Sequence, residues 1–272
     1  NPDVLCNREI KFGPFKEYAK KLGADYIATG HYCDISHDNG VHKLLKAKDQ
    51  NKDQTYFLNQ LNQKQLENVL FPLGKMDKSE VRAIAEKYSL ITAKKKDSTG
   101  ICFIGERNFR KFLMDYIPAK EGLIKTYDGR VLGVHNGLMY YTIGQRKGLG
   151  IGGLKNHDNG SWFVVGKDVK ENILYVVQGE ENEYLLADSC LVTGVNWIEG
   201  IVPENNLRCH AKFRYRQPDQ KVKVRIEDDR VIVYFAEKQR AVTIGQYVVL
   251  YQNLPDGNSA CLGGGVIEGV IF

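Results

Sequence analysis

The stretch Lys221-Val222-Lys223-Val224-Arg225-Ile226-Glu227-Asp228-Asp229-Arg230-Val231-Ile232-Val233-Tyr234-Phe235 decides the fold of the C-terminal third. Val222, Val224 and Ile226 alternate with charged residues, and so do Val231, Val233 and Phe235 with their neighbours. Asp228-Asp229 separates the two runs, which is the pattern of a β-hairpin with one buried face. Working outward, Trp162–Gly166 and Ile173–Val177 alternate around a polar turn, and Pro255-Asp256-Gly257 marks another turn. Gly263-Gly264-Gly265 inside an apolar run reads as a bulge or bend. Several short strands with turns between them predict a small barrel or sandwich.

The upstream part reads differently. Phe12, Phe15, Tyr18, Ala19 and Leu22 recur at helical spacing, with Gly23 as a stop. Asp25-Tyr26-Ile27-Ala28-Thr29 reads as a short buried strand ending at Gly30. Asp77 followed by Glu80 forms a capping-box signal for a helix that puts Val81, Ile84, Ala85 and Tyr88 on one face. Phe109, Phe112, Leu113 and Tyr116 form a further helical pattern ending at Pro118. The expected fold class is α/β plus β: the remainder of a doubly wound nucleotide-binding-type domain (1–105), a small mixed central domain (106–183) and a C-terminal antiparallel β-barrel (184–272).

Composition sets bounds. The 272 residues carry a formal net charge of +5, which permits a polyanionic partner without requiring one. No apolar stretch approaches a membrane span and mean hydropathy is negative; a cytoplasmic protein with no membrane partner is expected. The six cysteines, Cys6, Cys33, Cys102, Cys190, Cys209 and Cys261, form no Cys-x-x-Cys pair, so a zinc site has no support and a reducing compartment is the reading. Cys6 has a carboxylate, Asp3, three residues upstream. Cys102 follows Gly100 and the run Lys94-Lys95-Lys96, whose charge could favour a thiolate. On spacing alone, two inert buried cysteines are the commoner arrangement.

The strings Asn1-Pro2-Asp3-Val4-Leu5-Cys6-Asn7, Ala24-Asp25-Tyr26-Ile27-Ala28-Thr29-Gly30-His31-Tyr32, Asn51-Lys52-Asp53-Gln54-Thr55-Tyr56-Phe57-Leu58, Lys94-Lys95-Lys96-Asp97-Ser98-Thr99-Gly100-Ile101-Cys102-Phe103-Ile104-Gly105 and Tyr141-Thr142-Ile143-Gly144-Gln145-Arg146-Lys147-Gly148-Leu149-Gly150 occur in that order. This resembles the tRNA-specific 2-thiouridylase family, nearly from end to end and most strongly up to about residue 150. The resemblance implies an ATP-pyrophosphatase-like first domain and ATP-dependent 2-thiolation of the tRNA wobble uridine, with ATP, Mg2+ and a sulfur-donor protein (a cysteine desulfurase or sulfur-relay carrier). A monomer is expected. The family's opening Ser-Gly-Gly-Val-Asp-Ser loop does not occur in the sequence. The expectation is therefore a chain without the main ATP loop, binding tRNA but inactive alone.

The resemblance also implies residue roles. Cys102 would carry the persulfide, with Cys6 as the attacking or resolving thiol and any disulfide between them transient. Asp3 would be the acid/base, and Asn1, Pro2 and Asp3 would contact the target base; locally, Asp3 reads equally as a turn residue after Pro2. Gly30 would lie beside the nucleotide. His31 reads either as a tRNA contact or as an ordinary strand-end histidine. Lys52, Asp53 and Gln54 would contact tRNA, against a reading as a solvated loop. Arg214, Tyr215 and Arg216 combine charge with a stacking ring, against a strand with exposed arginines, and Gln246 is a weaker contact. The glycine-rich 144–153 segment is no dinucleotide fingerprint, since no βαβ unit surrounds it; Arg146 and Lys147 facing RNA fits better. A tRNA methyltransferase would need a methyl-donor site that the sequence does not suggest. A redox protein is disfavoured by the missing Cys-x-x-Cys.

Overall fold

The computed structural model describes residues 1–95, 109–151, 160–227 and 230–272, and for 109–111 the backbone alone. Cys102 and the Asp228-Asp229 turn therefore lie outside the described residues, as do Lys96-Asp97-Ser98-Thr99-Gly100 and Gly152-Gly153. The chain divides into two compact units, one made of Asn1–Ile101, Cys190–Glu237 and Ile244–Gly269, the other of Cys102–Ser189, Lys238–Thr243 and Val270–Phe272.

The first unit opens with α1 (Pro2–Cys6), capped by the Asn1 side chain, which accepts from the Asp3 amide at 3.0 Å. The helix runs on through Asn7–Phe15, where backbone at Gly13 leaves helical geometry just before Pro14, into α2 (Lys16–Lys21). Proline lacks the amide and crowds the preceding turn, which accounts for the kink. Strand β1 (Ile27–Ala28) is shorter than the sequence pattern predicts, and only Ile27 is buried: Tyr26 and Ala28 face solvent. The hairpin β2 (Cys33–Asp38) and β3 (Val41–Lys46) follows, then α3 (Gln63–Leu66) and β4 (Val69–Leu70), the parallel partner of β1. Helix α4 (Lys78–Lys87) carries the expected Asp77–Glu80 capping box. Its apolar face forms but is open, with Ile84 and Tyr88 exposed. Phe15, Tyr18 and Leu22 are exposed too, so the predicted inner face of the first helix is buried only at Phe12 and partly at Ala19.

In the second unit, α5 (Phe109–Met114) precedes β5 (Gly122–Lys125), β6 (Val131–His135), β7 (Trp162–Asp168) and β8 (Ile173–Gln178). These form a four-stranded sheet in the order β6-β5-β8-β7, with β5 and β8 parallel. Ile124, Val164, Leu174 and Val176 alternate inward to make its core with Tyr141, Leu149 and Ile151.

The last strands are β9 (Leu186–Trp197), β10 (Leu207–Lys212), β11 (Gln220–Glu227), β12 (Arg230–Arg240), β13 (Tyr247–Asn253) and β14 (Ser259–Ile271). Their order, β13-β10-β11-β12-β9-β14, closes through β13–β14 pairing into a six-stranded barrel. The hairpin read from sequence pairs Val224 with Val233 and Val222 with Phe235. At the glycine run, Leu250 pairs with Gly263 and Tyr251 with Cys261, a bulge. Gly263 is required there: its φ is +129° and a Cβ would lie 1.9 Å from the Asn196 carbonyl oxygen.

Hairpin β2–β3 extends the barrel sheet, with Leu45 paired to Ala260 of β14. Val4, Phe12, Leu44, Tyr56 and Leu61 thus share one core with Ile198, Tyr247, Tyr251 and Cys261.

Candidate RNA-binding cleft and thiol helix

Three segments far apart in sequence meet in the first unit. Gln54 and Tyr32 pair reciprocally: the Gln54 amide donates to the Tyr32 carbonyl at 2.7 Å, and the Tyr32 amide donates to Gln54 Oε1 at 2.9 Å. This sets Lys52-Asp53-Gln54 beside Gly30-His31. Tyr215 then lays its ring against Phe57, centroids 4.4 Å apart, and its hydroxyl lies 3.5 Å from the Lys52 carbonyl. The result is a cleft of about 620 Å³ whose walls include Asn51, Lys52, Lys212, Tyr215 and Arg216.

The cleft stands on buried ions that sequence reading missed. Lys46 Nζ bonds Asp219 Oδ2, and Lys212 Nζ lies 3.8 Å from Asp219 Oδ1. Both lysines also lie over the fully buried Tyr251 ring, Lys46 at 4.0 Å from its centroid. Burial lowers the Lys212 pKa, and the neighbouring Lys46 charge lowers it further. Asp53 completes the set. It is 3% exposed, accepting from the Ala47 amide at 3.1 Å and from the Thr55 hydroxyl at 2.7 Å. Burial raises its pKa against the pull of those two bonds. Asp53 lines the cleft, and its carboxylate is committed to the Ala47 amide and the Thr55 hydroxyl, which braces the loop. The signal available in sequence was a lysine set among buried residues, as in Leu44-Leu45-Lys46-Ala47 and Ala211-Lys212-Phe213.

Arg214-Tyr215-Arg216 is not a strand. It forms the turn between β10 and β11, with both arginines exposed and Tyr215 half-buried on Phe57 and Tyr56. Gln246 lies apart from the cleft walls, in the turn before β13, where its carbonyl accepts from the Ile267 amide.

His31 lies 2.8 Å through Nδ1 from the Thr29 hydroxyl and packs on Phe12 and Phe71. Burial, with a smaller contribution from Lys11, lowers its pKa to about 4, so the ring is neutral at pH 7. Gly30 is exposed, and nothing lies within 4 Å of the place a Cβ would occupy.

Helix α1 carries the thiol. Asp3 and Cys6, three residues apart, share a helix face. Asp3 sits in the first helical turn, where its charge favours the helix dipole, so the reading of it as a loop turn is replaced. Cys6 is free and half-buried. The other described cysteines are buried: desolvation pushes Cys190, Cys209 and Cys261 up to about 12 and raises Cys33 as well. Among the described residues Cys6 is therefore the one thiol open to chemistry. Asn7 ties this helix to the cleft wall, its side-chain amide donating to the Phe57 carbonyl at 3.0 Å.

A helix-and-strand first part, a four-stranded central sheet and a closed six-stranded β-barrel, with a cationic cleft and, among the described residues, one accessible thiol, are matched by models and relatives named for tRNA modification. Three family models match in succession: tRNA methyl transferase HUP domain over residues 1–106, tRNA methyl transferase PRC-barrel domain over 110–178, and aminomethyltransferase β-barrel domain over 187–267. The chain belongs to the tRNA-specific 2-thiouridylase MnmA family. Over 269 residues it is 57% identical to the proteins of that name from Streptococcus thermophilus and Streptococcus mutans and 59% identical to that from Streptococcus equi subsp. zooepidemicus. Each match covers 98% of this chain and 71% of the relative. These matches give no support to the expectation of an inactive fragment. No helix of the described residues is long and apolar enough to cross a membrane.

Proposed function

We propose that the protein acts in tRNA 2-thiolation, replacing O2 of the wobble uridine with sulfur. The observation that carries this reading is the convergence of Lys52 and Tyr215, 163 residues apart, on one cleft coupled through Phe57 to the helix bearing Asp3 and Cys6. Lys52, Arg214 and Arg216 would hold phosphates as charges, while Asn1, Pro2 and Asp3 meet the target base. Gln54 and Gln246 would contact tRNA more peripherally. His31, neutral, would act as a hydrogen-bonding contact and not as a cation. The three-part division at about 105 and 183 is retained as a division of labour between chemistry, centre and RNA-binding barrel.

ATP with Mg2+ would supply the activation that makes O2 a leaving group. The open backbone at Gly30 suits the edge of a nucleoside, and no further contact to ATP is assigned. Cys102 would bring the sulfur as a persulfide delivered by a sulfur-donor protein. Its terminal sulfur forms the bond to C2 as the activated oxygen departs. Cys6 thiolate then attacks the Cys102 sulfur, which breaks the S–S bond, leaves 2-thiouridine and joins Cys6 to Cys102 as a disulfide. A thiol reductant returns both cysteines to the reduced state. Asp3, on the Cys6 face of α1, would move the proton.

The family-model descriptions speak of methyl transfer and the relatives' names of thiolation, so the test reads the group transferred. The purified protein is incubated with unmodified tRNA, ATP, a desulfurase system and, separately, a methyl donor, and the nucleosides are analysed by mass spectrometry. Thiouridine dependent on ATP is the expected product. A methylated nucleoside, or no tRNA binding, overturns the proposal.

A further inference from the structure

The outer face of the β10–β11–β12 sheet carries cations in register. Arg208 on β10 lies opposite Lys223 on β11, Lys223 lies opposite Tyr234 on β12, and His210 lies opposite Lys221. Arg208, Lys221 and Lys223 are exposed, and none of the ion pairs among the described residues includes them. An Arg facing a Lys across a strand pair is unfavourable for the free protein. Tyr234 stays 39% exposed beside Lys223. These residues border a concavity of about 560 Å³. Two further polar atoms on its walls, His210 Nδ1 and Gln252 Oε1, are buried without a hydrogen-bond partner. The row belongs to the same hairpin whose 213–219 turn walls the cleft, so β10 and β11 lead from one surface towards the other.

We propose that this sheet face is a second RNA-binding surface, on which Arg208, Lys221 and Lys223 take successive phosphates of the strand that leaves the cleft and Tyr234 stacks on a base. The inference rests on the reading of the protein as a tRNA-binding one. Residues two apart on one strand, such as Lys221 and Lys223, stand roughly 7 Å apart on the same face, a step suited to neighbouring phosphates. Arginine adds a fork that grips phosphate through two parallel bonds. An RNA phosphodiester is favoured over a protein acid patch because the row is extended and combines evenly spaced cations with an exposed ring.

The test uses the full chain with Lys221→Gln and Lys223→Gln together, titrated with unmodified tRNA at several salt concentrations. Losing two phosphate contacts should flatten the slope of log affinity against log salt by roughly 1.4–1.8 and weaken binding several-fold, with Tm unchanged or raised. Lys221→Arg with Lys223→Arg should keep the parental slope. Lys120→Gln with Lys170→Gln removes the same net charge from exposed sites in the other unit; an equal effect there would mean net charge alone is at work, and would overturn the inference. Loss of binding in Lys52→Gln with none in the double variant would overturn the sheet face and leave the proposed function standing. No binding by the parent would overturn both. Acylation of Lys221 and Lys223 in the unaltered protein gives a readout that needs no variant: tRNA should protect both, and unchanged reactivity would sink the proposal.

Discussion

Asp219→Asn asks whether the cleft stands on its buried ions. The Lys46 and Lys212 side chains keep 3% and 8% of their surface, while Asp219 keeps 31%. Asparagine preserves the shape and removes the charge, leaving two buried ammonium groups with Asp53 as the nearest anion. Asp53 is already committed to the Ala47 amide and the Thr55 hydroxyl. Breaking a buried ion pair from one side costs roughly 3–5 kcal/mol because the stranded charge stays desolvated. Asp219 is nearly a third exposed, so the lower end applies, about 3 kcal/mol. That corresponds to a fall in Tm of roughly 6–12 °C. Adding Lys46→Met removes one stranded charge and should recover much of the loss, since buried ions can be exchanged for apolar groups at little cost. Urea denaturation of the parent, both single variants and the double variant closes the cycle. The 50–53 and 213–219 loops lose their common anchor, so tRNA affinity should fall with stability. A loss below about 1 kcal/mol, the value of a surface pair, would refute the reasoning, as would a double variant no more stable than Asp219→Asn.

His31 is neutral in the folded protein with its pKa lowered to about 4, and an unfolded histidine titrates near 6.5. Between these values the unfolded chain binds more protons, so this contribution to stability is full above about pH 6.5 and is lost as pH falls towards 4, at up to about 1.4 kcal/mol per pH unit; His31→Gln should flatten that part of the urea-midpoint profile, and an unchanged profile would assign it elsewhere. Tyr215→Ala should lower both stability and tRNA affinity, because the ring packs on Phe57, with the salt slope kept; Arg214→Ala should instead reduce that slope by somewhat under about one unit. Asp3→Asn should cut thiolation by roughly a hundredfold or more with tRNA affinity nearly intact, and a matching loss of affinity would make Asp3 a positioning residue. Cys102→Ser should abolish sulfur loading as mapped by mass spectrometry, whereas sulfur persisting on Cys6 in that variant would reverse the two roles.

What could be read in the sequence was what is decided locally. The alternation over 222–235 does pair Val224 with Val233, and Asp77 with Glu80 does form a capping box, because a strand's two faces and a helix's first turn depend on neighbours a few residues away. The joining of β2–β3 to the barrel was not legible: Leu45 pairs with Ala260, and no local period encodes the partner of a sheet edge. Tyr215 read as a free stacking ring for the same reason, since Phe57 lies far from it in sequence.

The candidate site divides along the same line. Residue type and motif put forward Cys6, Lys52 and Arg214 as candidates. They gave no sign that Asp53 also braces its own loop through the Ala47 amide and the Thr55 hydroxyl, and they passed over Lys46, Lys212 and Asp219. A lysine in a strand is ordinarily exposed, and it is stable inside only when a carboxylate meets it. Here the carboxylate for Lys46 comes from 173 residues away. Lys46, Asp53, Lys212 and Asp219 belong to four separate segments, with two positive and two negative charges that balance only once the segments are folded together. The balance makes the site's geometry and the joining of the hairpin to the barrel one event. The same residues that shape the cleft hold β3 and its following loop against β10, so a protein with an intact barrel but a displaced Asp219 would lose the cleft before it lost its strands.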